Sequence, residues 1–131
     1  MVIDVTCGVI IHKNQVLCVQ RSENISLPLK WEFPGGKIEK NETAEDCLVR
    51  GIWEELKLKI SIGKTLETSS YDYQNLSINL IPFIYIIASG ELTLVQHKQF
   101  LWLDPSDLLS LDWAPADIPV VKEVMRQINL K

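Results

Sequence analysis

The adjacent acids Glu54 and Glu55 are the residues of this chain whose types and spacing point most directly to chemistry. On a helix, positions 51, 54, 55 and 58 share one face, so both carboxylates point toward a common volume. Neighbouring carboxylates repel each other unless a cation lies between them. A hard divalent ion such as Mg²⁺ takes one or two carboxylates, keeps some waters and accepts phosphate oxygens in its remaining positions. The pair therefore favours a metal site that admits a phosphate-bearing ligand.

The segment that carries this pair has the pattern of an amphipathic helix. Thr43 begins it as a capping residue, and apolar residues recur every four positions at Ala44, Leu48, Ile52 and Leu56. This pattern predicts a helix that ends near residue 58. Before the helix, a Pro-Gly-Gly turn at residues 34–36 separates two predicted short strands, and its glycines allow the backbone to approach the site closely.

The remaining elements must position this helix and turn. Strands are predicted at residues 5–12, 16–20, 60–70, 76–89, 91–95 and 99–103, with a hairpin at residues 13–15. A short helix is predicted to start at Pro105, and a final helix at Ile118 with an inner stripe of apolar residues. This order predicts an α/β sandwich, with a mixed sheet covered by helices on both faces. One domain over residues 1–131 accounts for the chain length.

The spacing from residue 36 to residue 58 resembles the Nudix box of the Nudix hydrolase family. That box is a glycine, five residues, a glutamate, seven residues, and then Arg-Glu-apolar-x-Glu-Glu-x-Gly-apolar. The chain keeps most of its positions, namely Gly36, Glu42, Arg50, Ile52, Glu54, Glu55 and Leu58. Residues 32–39 and 114–119 are similar to the branch that contains the MutT sanitiser of oxidised dGTP and the CTP pyrophosphohydrolases. The resemblance implies a Nudix-type α/β/α sandwich.

The resemblance also implies an activity and a set of site residues. The expected reaction is hydrolysis of a nucleoside triphosphate, of the oxidised dGTP or CTP type, to monophosphate and pyrophosphate with Mg²⁺ or Mn²⁺. The implied metal ligands are the Gly35 carbonyl, Glu54 and Glu55, while Arg50, held by Glu42 or Glu54, orients the acids. The implied substrate contacts are Lys37 on phosphate, Arg21 near the nucleotide, Phe33 near the base or sugar, and Asp117 at the base edge. Asp117 could instead be an ordinary acid at a helix N-terminus.

Two departures from the family pattern bear on catalysis. Gly51 stands where the family has the glutamate that positions or deprotonates the attacking water, and Gln96 stands where MutT-like relatives carry an acid. Because general-base catalysis is worth about 10² to 10⁴ in rate, we expect a weak enzyme. Gly51 also costs the helix about 1 kcal/mol relative to alanine without an evident folding benefit. Glu42, Glu54 or Glu55 could act as the base, and the loop residue His97 could approach, although such a histidine is more often on the surface.

The same departures motivate an alternative from another class, a non-catalytic domain that binds or senses nucleotides. A Nudix hydrolase of another diphosphate, such as a nucleotide sugar, is a third hypothesis. Lys57 replaces the final glycine of the box, which changes how the helix ends. The four tryptophans are expected to pack in the core or at its rim, and Tyr71 and Tyr73 to direct their hydroxyls to water.

Composition limits the partners. The net charge of −4 disfavours binding to a nucleic-acid polymer, and the longest apolar stretch, residues 80–88, is too short to span a membrane. The N-terminus lacks a signal-peptide pattern. Cys7, Cys18 and Cys47 are expected to be reduced core thiols, as in a cytoplasmic protein. The chain is expected to act as a monomer or homodimer.

Overall fold

The computed structural model describes residues 1–129, so the last two residues of the predicted domain lie outside it. The strands are β1 (Val2–His12), β2 (Gln15–Gln20), β3 (Trp31–Glu32), β4 (Gly35–Lys37), β5 (Lys59–Ser61), β6 (Lys64–Thr65), β7 (Ser69–Tyr73), β8 (Leu76–Ser89) and β9 (Gln99–Leu103). The α-helices are α1 (Ala44–Leu56) and α2 (Ile118–Asn129), and short 3₁₀ helices span Pro105–Ser110 and Pro115–Asp117.

A mixed sheet of nine strands organises the fold, as predicted. Strands β1 and β8 run parallel through its centre, with Val5 opposite Leu80. The other strands pair antiparallel: β2 and β4 with β1, β5 to β7 with β8, and β3 and β9 with β2. The predicted Pro-Gly-Gly turn is wrong in part, because Gly35 and Gly36 belong to β4 and pair with β1. Residues 34–36, called the turn below, are therefore fixed to the middle of the sheet.

Side-chain alternation along β1 produces two hydrophobic cores, one on each face of the sheet. Cys7 and Val9 belong to the core that contains the apolar stripe of α2. Ile10 belongs to the opposite core with Leu48 and Ile52 of α1. The prediction of a sandwich with helices on both faces is therefore confirmed.

Helix α1 begins and ends with local backbone features that the sequence only partly predicts. The Thr43 Oγ1 atom accepts a hydrogen bond from the Asp46 amide at 3.0 Å, which confirms the predicted cap. The helix ends at Leu56, and Lys57 adopts the left-handed conformation with φ 59° and ψ 29°. Its amide donates to the Trp53 carbonyl at 3.0 Å. Lys57 therefore occupies the backbone state that a glycine at this position of the box would adopt without strain.

Two strand predictions are wrong in detail. Residues 60–70 do not form one strand but contribute to β5, β6 and β7, because the chain turns between these short pieces along β8. Residues 91–95 are not a strand. Instead, the Thr93 and Val95 amides donate to the carbonyls of Leu56 and Glu55 at 2.9 and 3.1 Å. This segment satisfies carbonyls at the C-terminal end of α1 that have no partner within the helix.

Two other predictions are confirmed. The hairpin turn consists of Lys13 and Asn14, both with positive φ. All three cysteines are buried and free. Within residues 1–129, none of the helices has the length and apolar character needed to cross a membrane.

Candidate active site

A pocket of about 260 Å³ opens where β1, β3, β4 and the C-terminal half of α1 meet the segment before α2. Its lining includes six of the residues that sequence reasoning considered for the site. These are Arg21, Phe33, Gly35, Glu55, Gln96 and Asp117. Glu32, for which the sequence suggested no role, also lines the pocket.

The two adjacent glutamates of α1 have different surroundings. The Glu54 side chain is 60 % exposed, and its Oε1 atom accepts from Arg50 Nη1 at 2.9 Å. The Glu55 side chain is only 13 % exposed and forms part of the pocket wall. Burial raises the pKa of Glu55 to about 8, and the nearby Glu32 contributes to the increase. Of these two glutamates, Glu55 is therefore the one that gains more from a cation in the pocket.

Glu32 connects two further side chains to this wall. Its Oε1 atom accepts from Arg21 Nη1 at 2.9 Å, and its Oε2 atom lies 2.8 Å from His97 Nε2. The expectation that His97 is a surface residue is wrong, because it is buried with its ring between Glu32 and Glu55. The loop that carries it is anchored to the sheet, since the Lys98 amide donates to the Gln20 carbonyl at 2.9 Å.

Arg50 connects the helix to the turn that precedes it. Its Nε atom donates to Glu42 Oε2 at 2.6 Å, and Nη2 donates to Glu42 Oε1 and to the Lys37 carbonyl, each at 3.0 Å. Its Nη1 atom donates to Glu54 Oε1. Arg50 thus binds both Glu42 and Glu54, the two acids that the sequence proposed as its partners. The Arg50 hydrogen bonds lower the pKa of Glu42 to about 2. Arg50 therefore holds α1 and the turn in a fixed relation.

Gly51 lies where the helix and the turn come closest. A Cβ at this position would be 3.1 Å from the Gly35 carbonyl carbon and oxygen, and 3.3 Å from the Gly36 nitrogen. Gly51 is buried. Its missing side chain allows this close backbone contact, and a Cβ here would require the turn to move by a few tenths of an ångström.

Phe33 and Asp117 form another part of the pocket lining. Asp117 is buried, and its Oδ2 atom accepts from the Phe33 amide at 2.9 Å. Burial holds the pKa of Asp117 well above its usual range, and Glu32 adds to this effect. The Phe33 ring packs on Trp113 with centroids 4.8 Å apart. The hydroxyl of Tyr73, expected to reach water, instead accepts from the Ala116 amide at 3.2 Å.

Not every residue selected from the sequence lines the pocket. The Lys37 side chain is exposed outside it, although its carbonyl contacts Arg50. Trp31 and Trp113 are buried in the core, as expected. Trp53 is on the surface, with the Lys57 ammonium 5.2 Å from the centre of its ring.

The donor atoms present are suited to a hard divalent cation. Within residues 1–129, no three His, Cys, Asp or Glu side chains form a preassembled cluster. However, the buried Oε1 atom of Glu55 has no hydrogen-bond partner in this part of the chain. The Gly35 carbonyl lies nearby on the turn, held against β1 so tightly that a Cβ on Gly35 would collide with the Thr6 carbonyl. One carboxylate and one carbonyl leave room for the waters and phosphate oxygens that Mg²⁺ retains.

Comparison with known proteins identifies the family of the chain. The NUDIX domain family model matches residues 3–124. The chain belongs to the NUDIX domain family. It is 29 % identical to the CTP pyrophosphohydrolase of Escherichia coli strain K12, over 94 % of this chain and 91 % of the relative. It is 27 % identical to the 8-oxo-dGTP diphosphatase of the same strain, over 95 % of this chain and 97 % of the relative.

A solved structure with a higher sequence identity has the same fold. The solution structure of the DNA mismatch repair protein MutT, of the Nudix hydrolase family, from methicillin-resistant Staphylococcus aureus 252 is 43 % identical with a TM-score of 0.78. The match covers 97 % of this chain and 98 % of that one. The chain is therefore a Nudix hydrolase of the MutT and CTP pyrophosphohydrolase type.

Sequence reasoning missed one member of this site and misjudged another. Glu32 lies between Trp31 and Phe33, and both aromatic residues are buried. An acid between two buried aromatic residues needs polar partners, and here Glu32 lines the same pocket as Phe33. For His97, nothing in the local sequence distinguishes a buried loop histidine from an exposed one.

Proposed function

We propose that this chain hydrolyses a nucleoside triphosphate to the monophosphate and pyrophosphate with a bound divalent cation, Mg²⁺ or Mn²⁺. The observation that carries this proposal is the Oε1 atom of Glu55, buried in the pocket wall without a hydrogen-bond partner in residues 1–129. A carboxylate oxygen in that position requires a proton or a cation, and a triphosphate requires a cation as well. The names of the two Escherichia coli relatives support this substrate class.

The proposed phosphate end of the site is formed by α1 and the turn. Glu55 and the Gly35 carbonyl would hold the cation, with Glu54 completing the acidic face from the exposed side. Arg50 positions Glu54 and the turn through its bonds to Glu42, Glu54 and the Lys37 carbonyl. When bound, the cation would neutralise phosphate charge and polarise the phosphorus that is attacked. Lys37 is exposed at the rim, where its ammonium could contact phosphate.

The proposed nucleoside end lies between Phe33 and Asp117. The ring of Phe33 offers an apolar surface for the base or sugar, and Arg21 lies on the same pocket wall. A buried Asp117 can accept from an exocyclic amine as a carboxylate or donate to a carbonyl when protonated. Cytosine presents such an amine, and an oxidised guanine presents an additional carbonyl. We therefore propose a CTP-type or oxidised dGTP-type substrate.

Deprotonation of the attacking water is the step that this site should catalyse least well. Gly51 has no side chain to take the proton from the water, so turnover should lie about 10² to 10⁴ below that of a site with a positioned base. Both Glu42 oxygens already accept from Arg50, which makes Glu42 a poor substitute. Glu54, Glu55 and His97 remain as candidate bases, and the fixed charges of the site still lower the barrier without one.

The proposal is tested by pyrophosphate release from CTP, dGTP and 8-oxo-dGTP in the presence of Mg²⁺ or Mn²⁺. We expect slow turnover that depends on the metal, with a preference among the bases. The matched variants are Glu55→Gln, which should abolish metal-dependent turnover, and Glu91→Gln, an exposed acid that should leave it unchanged. Turnover that is the same in Glu55→Gln, or absent with every triphosphate, would contradict the proposal.

The second candidate function is a non-catalytic domain that binds or senses nucleotides. The observation that favours it is Gly51, which lacks the carboxylate and is packed against the turn. Metal-dependent binding of a triphosphate without pyrophosphate release would distinguish it from a hydrolase. If the chain is a hydrolase, we propose that it acts on the nucleotide pool of the cytoplasm, as a monomer or homodimer.

A further inference from the structure

His97 has surroundings that its hydrogen bonds alone do not explain. Its side chain is 2 % exposed and lies between Glu32 and Glu55, two glutamates that line the pocket. Its Nε2 atom is 2.8 Å from Glu32 Oε2, whereas its Nδ1 atom is 3.9 Å from Glu55 Oε1. The first distance is that of a hydrogen bond, but the second is too long for one.

Nδ1 of His97 and Oε1 of Glu55 are the two buried side-chain atoms of residues 1–129 that lack a hydrogen-bond partner. Glu32 already accepts from Arg21 through Oε1, and its Oε2 atom is also an acceptor, so His97 donates to it through Nε2–H. In a neutral imidazole the other nitrogen then presents a lone pair. When Glu55 is ionised, two acceptors, Nδ1 and the Glu55 carboxylate oxygen, thus face each other, and a cation can take the place of a proton between them.

A divalent cation can satisfy both atoms. Metal–nitrogen and metal–oxygen bonds to protein ligands are each about 2.1 Å long, so their sum of about 4.2 Å exceeds the observed separation. One cation can therefore contact both atoms after small side-chain movements. The bond from Nε2–H to Glu32 also matches the usual arrangement of a metal-binding histidine, whose second nitrogen donates to a carboxylate.

We propose that His97 Nδ1 binds the divalent cation directly, together with Glu55, and gives this site a nitrogen ligand beside its oxygen ligands. The inference rests on the proposed metal-dependent function. It also accounts for Gln96, because the loop that lacks an acid at this position supplies a nitrogen from the next residue. Imidazole binds Co²⁺ and Ni²⁺ better than Mg²⁺, so the site should favour these ions more strongly than a site of oxygen atoms alone.

The test measures binding of Co²⁺ and of Mg²⁺ to the protein without nucleotide, by titration calorimetry. We expect His97→Gln to weaken Co²⁺ binding about 10- to 100-fold and Mg²⁺ binding far less. His12→Gln removes the other histidine, which is exposed, and should change neither affinity. Equal losses of Co²⁺ and Mg²⁺ affinity in His97→Gln would overturn the proposal, because they indicate that His97 only positions Glu55.

Proton NMR of the Co²⁺-loaded, unsubstituted protein provides a second test that holds even if His97→Gln fails to fold. A coordinated imidazole gives a strongly shifted, exchangeable ring N–H signal, here expected from Nε2–H and retained in His12→Gln. Bound Co²⁺ without such a signal would refute the proposal. Because neither measurement involves a triphosphate, hydrolysis with Mg²⁺ can succeed or fail independently of them.

Discussion

Restoring a carboxylate at position 51 is the most direct test of how this site handles the attacking water. Gly51→Glu adds a carboxylate on the helix face that also carries Glu55, beside the turn. If this group acts as the base, turnover should rise about 10² to 10⁴-fold, equivalent to about 3 to 5 kcal/mol of barrier. Triphosphate affinity should change little, because the base acts on water and not on the bound substrate.

The close contact at position 51 determines how much this substitution destabilises the fold. The new Cβ would be 3.1 Å from the Gly35 carbonyl, so the turn must move by a few tenths of an ångström. Replacing a helical glycine should return about 0.5 to 1 kcal/mol of helix stability, which offsets part of this cost. We therefore expect a net change in the free energy of unfolding of less than about 1 kcal/mol.

The assay compares single-turnover pyrophosphate release by Gly51→Glu, Gly51→Gln and Gly51→Ala, with denaturant unfolding of each variant. Gly51→Gln has the same bulk as glutamate but cannot take a proton, and Gly51→Ala adds only the Cβ. Only the glutamate variant should gain rate. An equal gain in the glutamine variant, or no gain in a stable glutamate variant, would refute the assignment of position 51 as the base position.

Three further predictions concern the helix end, the Arg50 network and the base end of the pocket. Lys57→Gly should stabilise the protein by about 1 kcal/mol in denaturant unfolding because it removes left-handed strain, whereas Lys57→Ala should not. The lowered pKa of Glu42 stabilises the fold above about pH 4.3 and is lost as the pH falls through about 2. Glu42→Gln should thus be less stable at pH 7 and lose less stability between pH 5 and 2. Asp117→Asn keeps an acceptor for the Phe33 amide but adds hydrogen-bond donors. We therefore expect kcat/KM for the nucleotide with the preferred base to fall roughly 10- to 100-fold relative to nucleotides with other bases.

The fold could be predicted where a pattern repeats along the sequence. The apolar residues of α1 and the alternation along the central strands report burial directly, so both helices and the sandwich were predicted correctly. Residues 91–95 mislead because they look like a strand, yet their amides satisfy the carbonyls at the end of α1. That partner lies more than 30 residues earlier in the chain, and no local pattern reveals it.

The site could be predicted as far as its residues lie in spaced motifs. Arg50, Glu42 and Glu54 form the predicted network because their spacing on the helix and turn fixes it. The burial of His97 and the packing role of Gly51 depend instead on contacts between segments distant in sequence. Gly51 is informative here: a residue interpreted as a catalytic loss is also a packing contact with Gly35.

Gln96 provides a test of how the loop contributes to the cation site. Its side chain lines the pocket that Glu55 and Glu32 also line, so Gln96→Glu would place another carboxylate in the same wall. Without metal, repulsion among these acids should lower the free energy of unfolding, and Mg²⁺ should restore it. In calorimetry, we expect Mg²⁺ to bind roughly tenfold more tightly, equivalent to about 1.4 kcal/mol.

The same substitution should reduce the preference for Co²⁺ over Mg²⁺, because an added oxygen ligand lowers the share of nitrogen among the ligands. Gln99→Glu, on the exposed strand β9 outside the pocket, is the control for a general effect of charge. If Gln96→Glu changes neither Mg²⁺ affinity nor metal-free stability, then Gln96 lies too far from the cation to be the vacant acid position. A gain in Mg²⁺ affinity that Gln99→Glu does not share would instead place position 96 beside the cation.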